Sequence, residues 1–233
     1  MKNKISIVSS IDGLELVEEL KPRPAFEVMP EWYKKVPRLF EGQKSFMPGG
    51  PVKRCPSFKD WFNSGIVFPM WCDVQLANDG VNWEWLTSSD KFIWEIHDNK
   101  QFIDFLPNNV DGNVVYKAGN PWKIVTPKGW SVMQLPMFYH FNNDFEVLPG
   151  IIDTDVHHEV NPQVLLKGNK DIIYIKSGTP FFQLIPFKRE SFVSEIINEI
   201  NLPKKLAEKM KERNVRVLTS FTKSYKKNKK YGV

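Results

Sequence analysis

The chain of 233 residues predicts an all-β core that carries a proline-rich N-terminal arm and short C-terminal helices. Three observations predict it. Aromatic residues abound (8 Trp, 17 Phe, 6 Tyr) and Val and Ile are frequent, whereas alanine occurs four times, a balance that favours sheet over a helical bundle. Short apolar runs recur between turn signals, without the strand–helix alternation of a parallel sheet. Seven of the 17 prolines fall within residues 22–56, where they exclude regular helix and central strand. A chain of this length buries roughly 70% of the surface its unfolded form exposes, enough for one core without disulfide or metal staples.

Taken in order, residues 1–56 read as an extended arm, with a short helical turn at Glu31–Val36. Its Phe26, Met29, Trp32, Tyr33, Leu39 and Phe40 are costly to leave in water, so the arm is expected to pack on the body or on a partner. Residues 57–188 read as the β domain. A brief helix over Ser57–Asn63 follows Pro56, and Ser64-Gly65 closes it. Strands are predicted at Ile66–Trp71, Val74–Leu76, Trp83–Leu86, Phe92–Ile96, Val114–Lys117, Trp122–Thr126 and Ser131–Leu135. Further strands follow at Phe145–Leu148, Ile151–Asp153, Glu159–Leu166, Ile172–Lys176 and Phe181–Pro186. Turns are signalled by Asn78-Asp79-Gly80, Asp111-Gly112-Asn113, Pro127-Lys128-Gly129, Pro149-Gly150 and Ser177-Gly178. Helical periodicity is confined to residues 189–233. There Phe192, Ile196, Ile197 and Ile200 form a one-sided stripe over Ser191–Ile200, and a second helix is expected over Pro203–Arg213.

The net charge of +5 is uneven. Residues 204–233 hold eleven Lys or Arg and two Glu, which leaves 21 basic and 25 acidic residues in the first 203. The tail 223–231, with Lys223, Lys226, Lys227, Lys229 and Lys230 among Tyr225 and Tyr231, is a candidate contact for nucleic acid or for a protein partner. The acidic body does not carry the basic stripe of a nucleic-acid reader. No apolar run approaches a membrane span, and Ile5–Val8 is too short for a signal-peptide core, so a cytoplasmic protein without a membrane partner is expected. Cys55 and Cys72 lack the paired spacing of a zinc or redox site and read as reduced, semi-buried thiols.

Chemistry-bearing side chains concentrate after residue 139. A Pro149-Gly150 turn feeds a strand that ends at Asp153, beside Thr154, Asp155, His157 and His158. Neighbouring carboxylates perturb each other and an imidazole exchanges protons, so the cluster is suited either to activating water or to satisfying backbone donors in a tight turn. His140 and His158 with Asp153 or Glu159 offer the residue types of an iron-type metal site, but the usual His-x-carboxylate pair is missing because Asn142 stands two residues after His140. Metal binding is left open, and polar turn residues are the simpler account. No nucleophile elbow, phosphate loop or dinucleotide fingerprint occurs.

Two segments, Leu148–Asp155 and Ile175–Ile185, resemble in order and spacing the Gly-hydrophobic-Ile-Asp-Ser-Asp-Tyr and Gly-Asp-Arg-Ile-Ala-Gln-Leu-Ile motifs of the dUTPase and dCTP deaminase superfamily. Asp153 and Gln183 lie thirty residues apart, close to the family's separation, and Pro127-Lys128-Gly129-Trp130 resembles its entry to the preceding strand. The resemblance covers about residues 121–187. It implies a dUTPase-like β-clip, a distorted barrel or sandwich, assembled as a homo-oligomer, trimer first. It also implies that Asp153 orients the water attacking a nucleotide α-phosphate, with Mg2+ on the triphosphate, and that Asp155, His157, His158, Gln183 and His140 line the pocket. The chain departs from the pattern at three places. Val156 replaces the sugar-packing aromatic, Pro136-Met137-Phe138-Tyr139 replaces the phosphate-holding Pro-Arg-Ser-Ser, and a Lys-rich tail replaces the Gly-rich lid. The chain is also similar to an uncharacterised family of marine bacterial and tailed-phage proteins, on Lys53-Arg54-Cys55-Pro56, Gly65–Pro69 and Gly178–Glu190. That similarity implies a phage origin, with host cytoplasm or virion as location. The expected function is a catalytically degenerate binding or structural module. The alternative is a divergent metal-dependent nucleotide pyrophosphohydrolase that uses Asp153.

Overall fold

The computed structural model describes residues 4–44, 49–78, 82–91, 93–107, 114–168 and 170–212. The chain forms two compact units, Met1–Pro30 with Ser64–Arg189, and Glu31–Asn63 with Glu190–Val233. Residues 1–56, read from the sequence as one arm, are thus shared between the two.

The larger unit is built of β-strands in open antiparallel sheets, and among the described residues no sheet closes into a barrel. Its strands in chain order are β1 (Ser6–Ser9), β2 (Arg23–Pro24), β3 (Ile66–Pro69), β4 (Val74–Asn78), β5 (Trp83–Thr87), β6 (Trp94–Ile96), β7 (Val114–Ala118) and β8 (Trp122–Val125). They continue as β9 (Trp130–Pro136), β10 (Phe145–Val147), β11 (Gly150–Ile152), β12 (Gln163–Leu166), β13 (Ile172–Ile175) and β14 (Pro180–Lys188). A five-stranded sheet has the order β11-β9-β14-β3-β2, a four-stranded sheet β10-β12-β7-β6 and a three-stranded sheet β13-β4-β5, while β1 pairs with β8.

Period-two burial explains why these segments are strands. In β8, Trp122 and Ile124 are buried while Lys123 and Val125 are exposed, and in β13 Ile173 and Ile175 are buried while Ile172 and Tyr174 face out. Prolines sit where a missing N–H costs little. Pro186 pairs with Val132 on β9, past the last β3 pair at Leu184 and Ile66. Gly65 enters β3 at φ +72°, and a β-carbon there would run into the Leu184 carbonyl, so glycine is required for both reasons.

The sheets meet in an aromatic core. β14 has a register irregularity between Pro180 and Phe182 and is buried on both faces over Phe181, Phe182, Gln183 and Leu184. Phe182 stacks on Phe68 of β3, ring centroids 4.9 Å apart and planes 6° apart. Phe181 lies 5.6 Å from Phe145 of β10, 6.3 Å from Trp94 of β6 and 5.8 Å from Trp71. Trp83 and Trp85 pack at the edge of the same core.

In the smaller unit, α1 (Glu31–Lys35) presents Tyr33 to Phe62, with ring centroids 4.4 Å apart. Lys53 donates to the Lys34 and Val36 carbonyls, each at 2.9 Å, and so caps the end of α1. Pro56 occupies the first turn of α2 (Pro56–Phe62), the position that suits proline. The helix expected over Ser191–Ile200 is not formed. Residues 191–198 have no regular structure and a 3-10 turn follows at Glu199–Asn201, whereas a helix, α3, does run over 204–212. Ten residues with one apolar stripe do not hold a helix unless the stripe is packed, and here it is exposed. No helix among the described residues is long and apolar enough to cross a membrane. The basic tail 223–231 and the turn residues 79–80 and 111–113 lie outside the described residues.

Phe182→Ala is expected to cost about 3–5 kcal/mol in urea unfolding, because it removes a fully buried ring that stacks on Phe68 in the core. Gly65→Ala is expected to lower the urea midpoint more than Gly129→Ala. Both sites have positive φ, but a β-carbon at Gly129 meets nothing within 4 Å.

Candidate functional site

The Asp153 segment is built by β11 and the turn after it. β11 is an edge strand whose Ile152 pairs with Val132 of β9. The chain then turns, with the N–H groups of Val156 and His157 both donating to the Asp153 carbonyl at 2.9 Å. Thr154 points inward, fully buried, and its hydroxyl meets the Thr126 hydroxyl at 2.8 Å, which in turn bonds the Trp130 carbonyl at 3.1 Å. With Thr154 turned in, Asp153 and Asp155 flank it and meet the same cation.

That cation is Arg189, which follows β14 immediately. Its backbone N–H donates to the Gly129 carbonyl at 2.8 Å, continuing the β14–β9 ladder. The guanidinium places Nη1 2.9 Å from Asp153 Oδ1 and 2.9 Å from Asp155 Oδ1, and Nη2 2.5 Å from Asp155 Oδ2. Ser131 Oγ accepts from Nη1 at 3.0 Å and donates to Asp153 Oδ1 at 2.6 Å. The Gly129 N–H donates to Asp155 Oδ2 at 2.8 Å. The group joins three chain segments: the start of β9, the turn after β11 and the end of β14.

The two carboxylates differ. The Asp155 side chain is 5% exposed and that of Asp153 58%, so Asp155 is the inner anchor and Asp153 the solvent-facing partner. The Ser131 hydrogen bond, then Arg189, holds the Asp153 carboxyl below the usual carboxylate range, against the repulsion of Asp155. For Asp155 the Arg189 fork acts first and the Gly129 N–H second, in the same direction. Arg189 is raised in return, chiefly by Asp155. A carboxylate held ionised and already hydrogen-bonded is a structural anchor and a weak proton acceptor.

The remaining predicted residues are placed as follows. His158 is exposed and its Nδ1 donates to the Thr154 carbonyl at 2.9 Å, which ties the ring to the turn. His157 is exposed on the same turn. Glu159 bridges back to Lys123, at 3.7 Å. His140 is half-buried in the turn after β9, its N–H donating to the Met137 carbonyl at 3.2 Å. Gln183 is buried in the middle of β14, and its Nε2 donates to the Ser64 carbonyl at 2.5 Å. The Asp153 and Gln183 segments are strands of one sheet with β9 between them. The register sets Asp153 beyond the Ile152–Val132–Pro186 row, roughly 15 Å from Gln183 by strand spacing. The two therefore do not share one pocket within the chain. Among the described residues no three His, Cys, Asp or Glu side chains come together as a metal-ligand set. A recess between β1, β8 and the five-stranded sheet is lined by apolar side chains, among them Ile7, Phe68, Ile124, Val132 and Leu184, and offers a nucleotide no polar contact. Cys72 is buried, which pushes its thiol up to about 12 and makes it inert as a nucleophile at neutral pH.

Sequence reasoning missed Arg189, Ser131 and Gly129. One signal was present: Asp153 and Asp155 stand two apart around an inward threonine, a spacing that calls for a cation able to take both. No protein-family model matches the chain, and no curated protein matches it significantly.

Carboxyls whose folded pKa lies below the unfolded value, 3.8 for aspartate, contribute stability that is present above that pH and lost as pH falls through the folded values. Arg189→Met leaves two unneutralised carboxylates side by side. This variant is expected to melt below the parent at pH 7, and the gap is expected to close as the pH drops below 3.8. A gap that stays constant from neutral to strongly acidic pH in thermal melts contradicts the clamp.

Proposed function

We propose that this chain is a catalytically degenerate dUTPase-like β-clip protein, phage-encoded, that serves as a binding or structural module and not as a nucleotide hydrolase. The observation that carries the reading is the engagement of Asp153. The carboxylate that the resemblance casts as the water-orienting group is bonded to Ser131 and Arg189. A second support is that the two resembling segments lie in one antiparallel sheet, while the phosphate-holding and sugar-packing residue types are replaced by Met137-Phe138-Tyr139 and Val156. The third is Gln183, which spends its amide on a backbone carbonyl. On this reading the fold is retained and Arg189 has converted an acidic turn into a fastening.

The second reading, a divergent metal-dependent nucleotide pyrophosphohydrolase, draws on the exposure of Asp153 and its ionised state. There the metal arrives on the substrate triphosphate, and Asp153 orients water from its outer oxygen.

Pyrophosphate release from a panel of deoxynucleoside and ribonucleoside triphosphates with Mg2+ separates the two. Inertness toward the whole panel is the expected outcome. Mg2+-dependent release that Asp153→Asn abolishes overturns the module reading in favour of the hydrolase.

A further inference from the structure

Residues 190–202 carry apolar side chains that the described residues leave uncovered. Phe192, Val193, Ile196 and Ile200 are 89, 97, 103 and 90% exposed. Together they present roughly 600 Å² of apolar surface in one short stretch, at the top of the range for the largest patch on a typical monomer. The same residues have the spacing of one face of a helix, yet the backbone there is not helical. The stretch carries Glu190, Glu195 and Glu199 and no Lys or Arg. Just beyond Pro203, α3 has the opposite character. Leu206 and Met210, four apart, are each 44% exposed, on a helix that carries Lys204, Lys205, Lys209 and Lys211 against Glu208 and Glu212.

We propose that segment 190–202 is an assembly element that folds against α3 of a second copy of this chain, reciprocally, with each copy's acidic apolar segment on the other's basic helix. Two arguments select a second copy as occupant. The charges are complementary: Glu195 and Glu199 meet a helix that carries four lysines against Glu208 and Glu212, whereas two 190–202 segments paired with each other would repel. The area fits, because one segment plus one helix face supplies about the 800 Å² per partner that a standard interface needs, and reciprocity uses both at once. Packing supplies what the isolated stripe lacks, so helix formation and association are one event. The inference rests on the module reading and names the partner and the segment through which the module assembles.

The test uses the full chain in sedimentation velocity from 1 to 100 µM, with far-UV circular dichroism at each concentration. Concentration-dependent dimerisation with a parallel gain in helicity is expected. Ile196→Glu/Ile200→Glu, at positions 103 and 90% exposed, is expected to weaken association at least tenfold while leaving the thermal melt of the β unit unchanged. Glu195→Lys/Glu199→Lys alone is expected to stay monomeric and to recover association when mixed with Lys205→Glu/Lys209→Glu. A parent chain that stays monomeric throughout overturns the proposal, as does an oligomer, trimer included, that ignores both double substitutions. A charge-reversed pair that does not recover overturns it too. Each of these outcomes leaves the nucleotide assay to judge the module reading on its own.

Discussion

The β unit depends on one strand, β14, that is buried on both faces. Successive residues of a strand point to opposite faces, yet Phe181, Phe182, Gln183 and Leu184 are all buried, with a register irregularity at the start between Pro180 and Phe182. Two adjacent large rings therefore lie in the core. Phe182 stacks on the neighbouring strand of its own sheet, and Phe181 reaches Phe145 and Trp94 of the four-stranded sheet. The same long strand runs on to its far end, where its ladder with β9 delivers Arg189 to the turn after β11.

At that turn, electrostatics and catalysis make opposite demands. A general base needs a carboxylate with lone pairs to spare and a pKa near the working pH. The Asp153 and Asp155 carboxylates are instead drawn below their ordinary range by a guanidinium, a serine hydroxyl and a backbone N–H. The inner carboxylate is nearly inaccessible and bidentate, a geometry that orients and fastens. The edge strand β11, only three residues long, gains from this an attachment that its few ladder bonds do not supply.

The two carboxyl-terminal segments of the described chain follow a complementary logic. An amphipathic stretch becomes a helix when its apolar face is covered, because short helices draw their stability from packing more than from propensity. Segment 190–202 has the stripe without the cover, and α3 has a basic surface with two apolar side chains left half in water.

Local chemistry was legible from the sequence by itself. Strand positions followed from period-two alternation and turn residues, so that β8, β12 and β13 overlap their predicted runs. Pro56 marked the start of α2, and the Pro149-Gly150 turn marked the short strand leading to Asp153. Tertiary structure alone decided what those elements meet. β1 and β2 escaped notice because they lie in the stretch read as an extended arm, and they become strands through pairing with β8 and β3. The acidic turn was visible, but its partner stands 34 residues away, and the carbonyl that takes the Gln183 amide stands 119 residues away. Side-chain type and spacing encode what a segment can do within a few residues. Whether a carboxylate serves as base or anchor, and whether an apolar stripe becomes a helix, is set by the charge or surface that distant chain brings beside it.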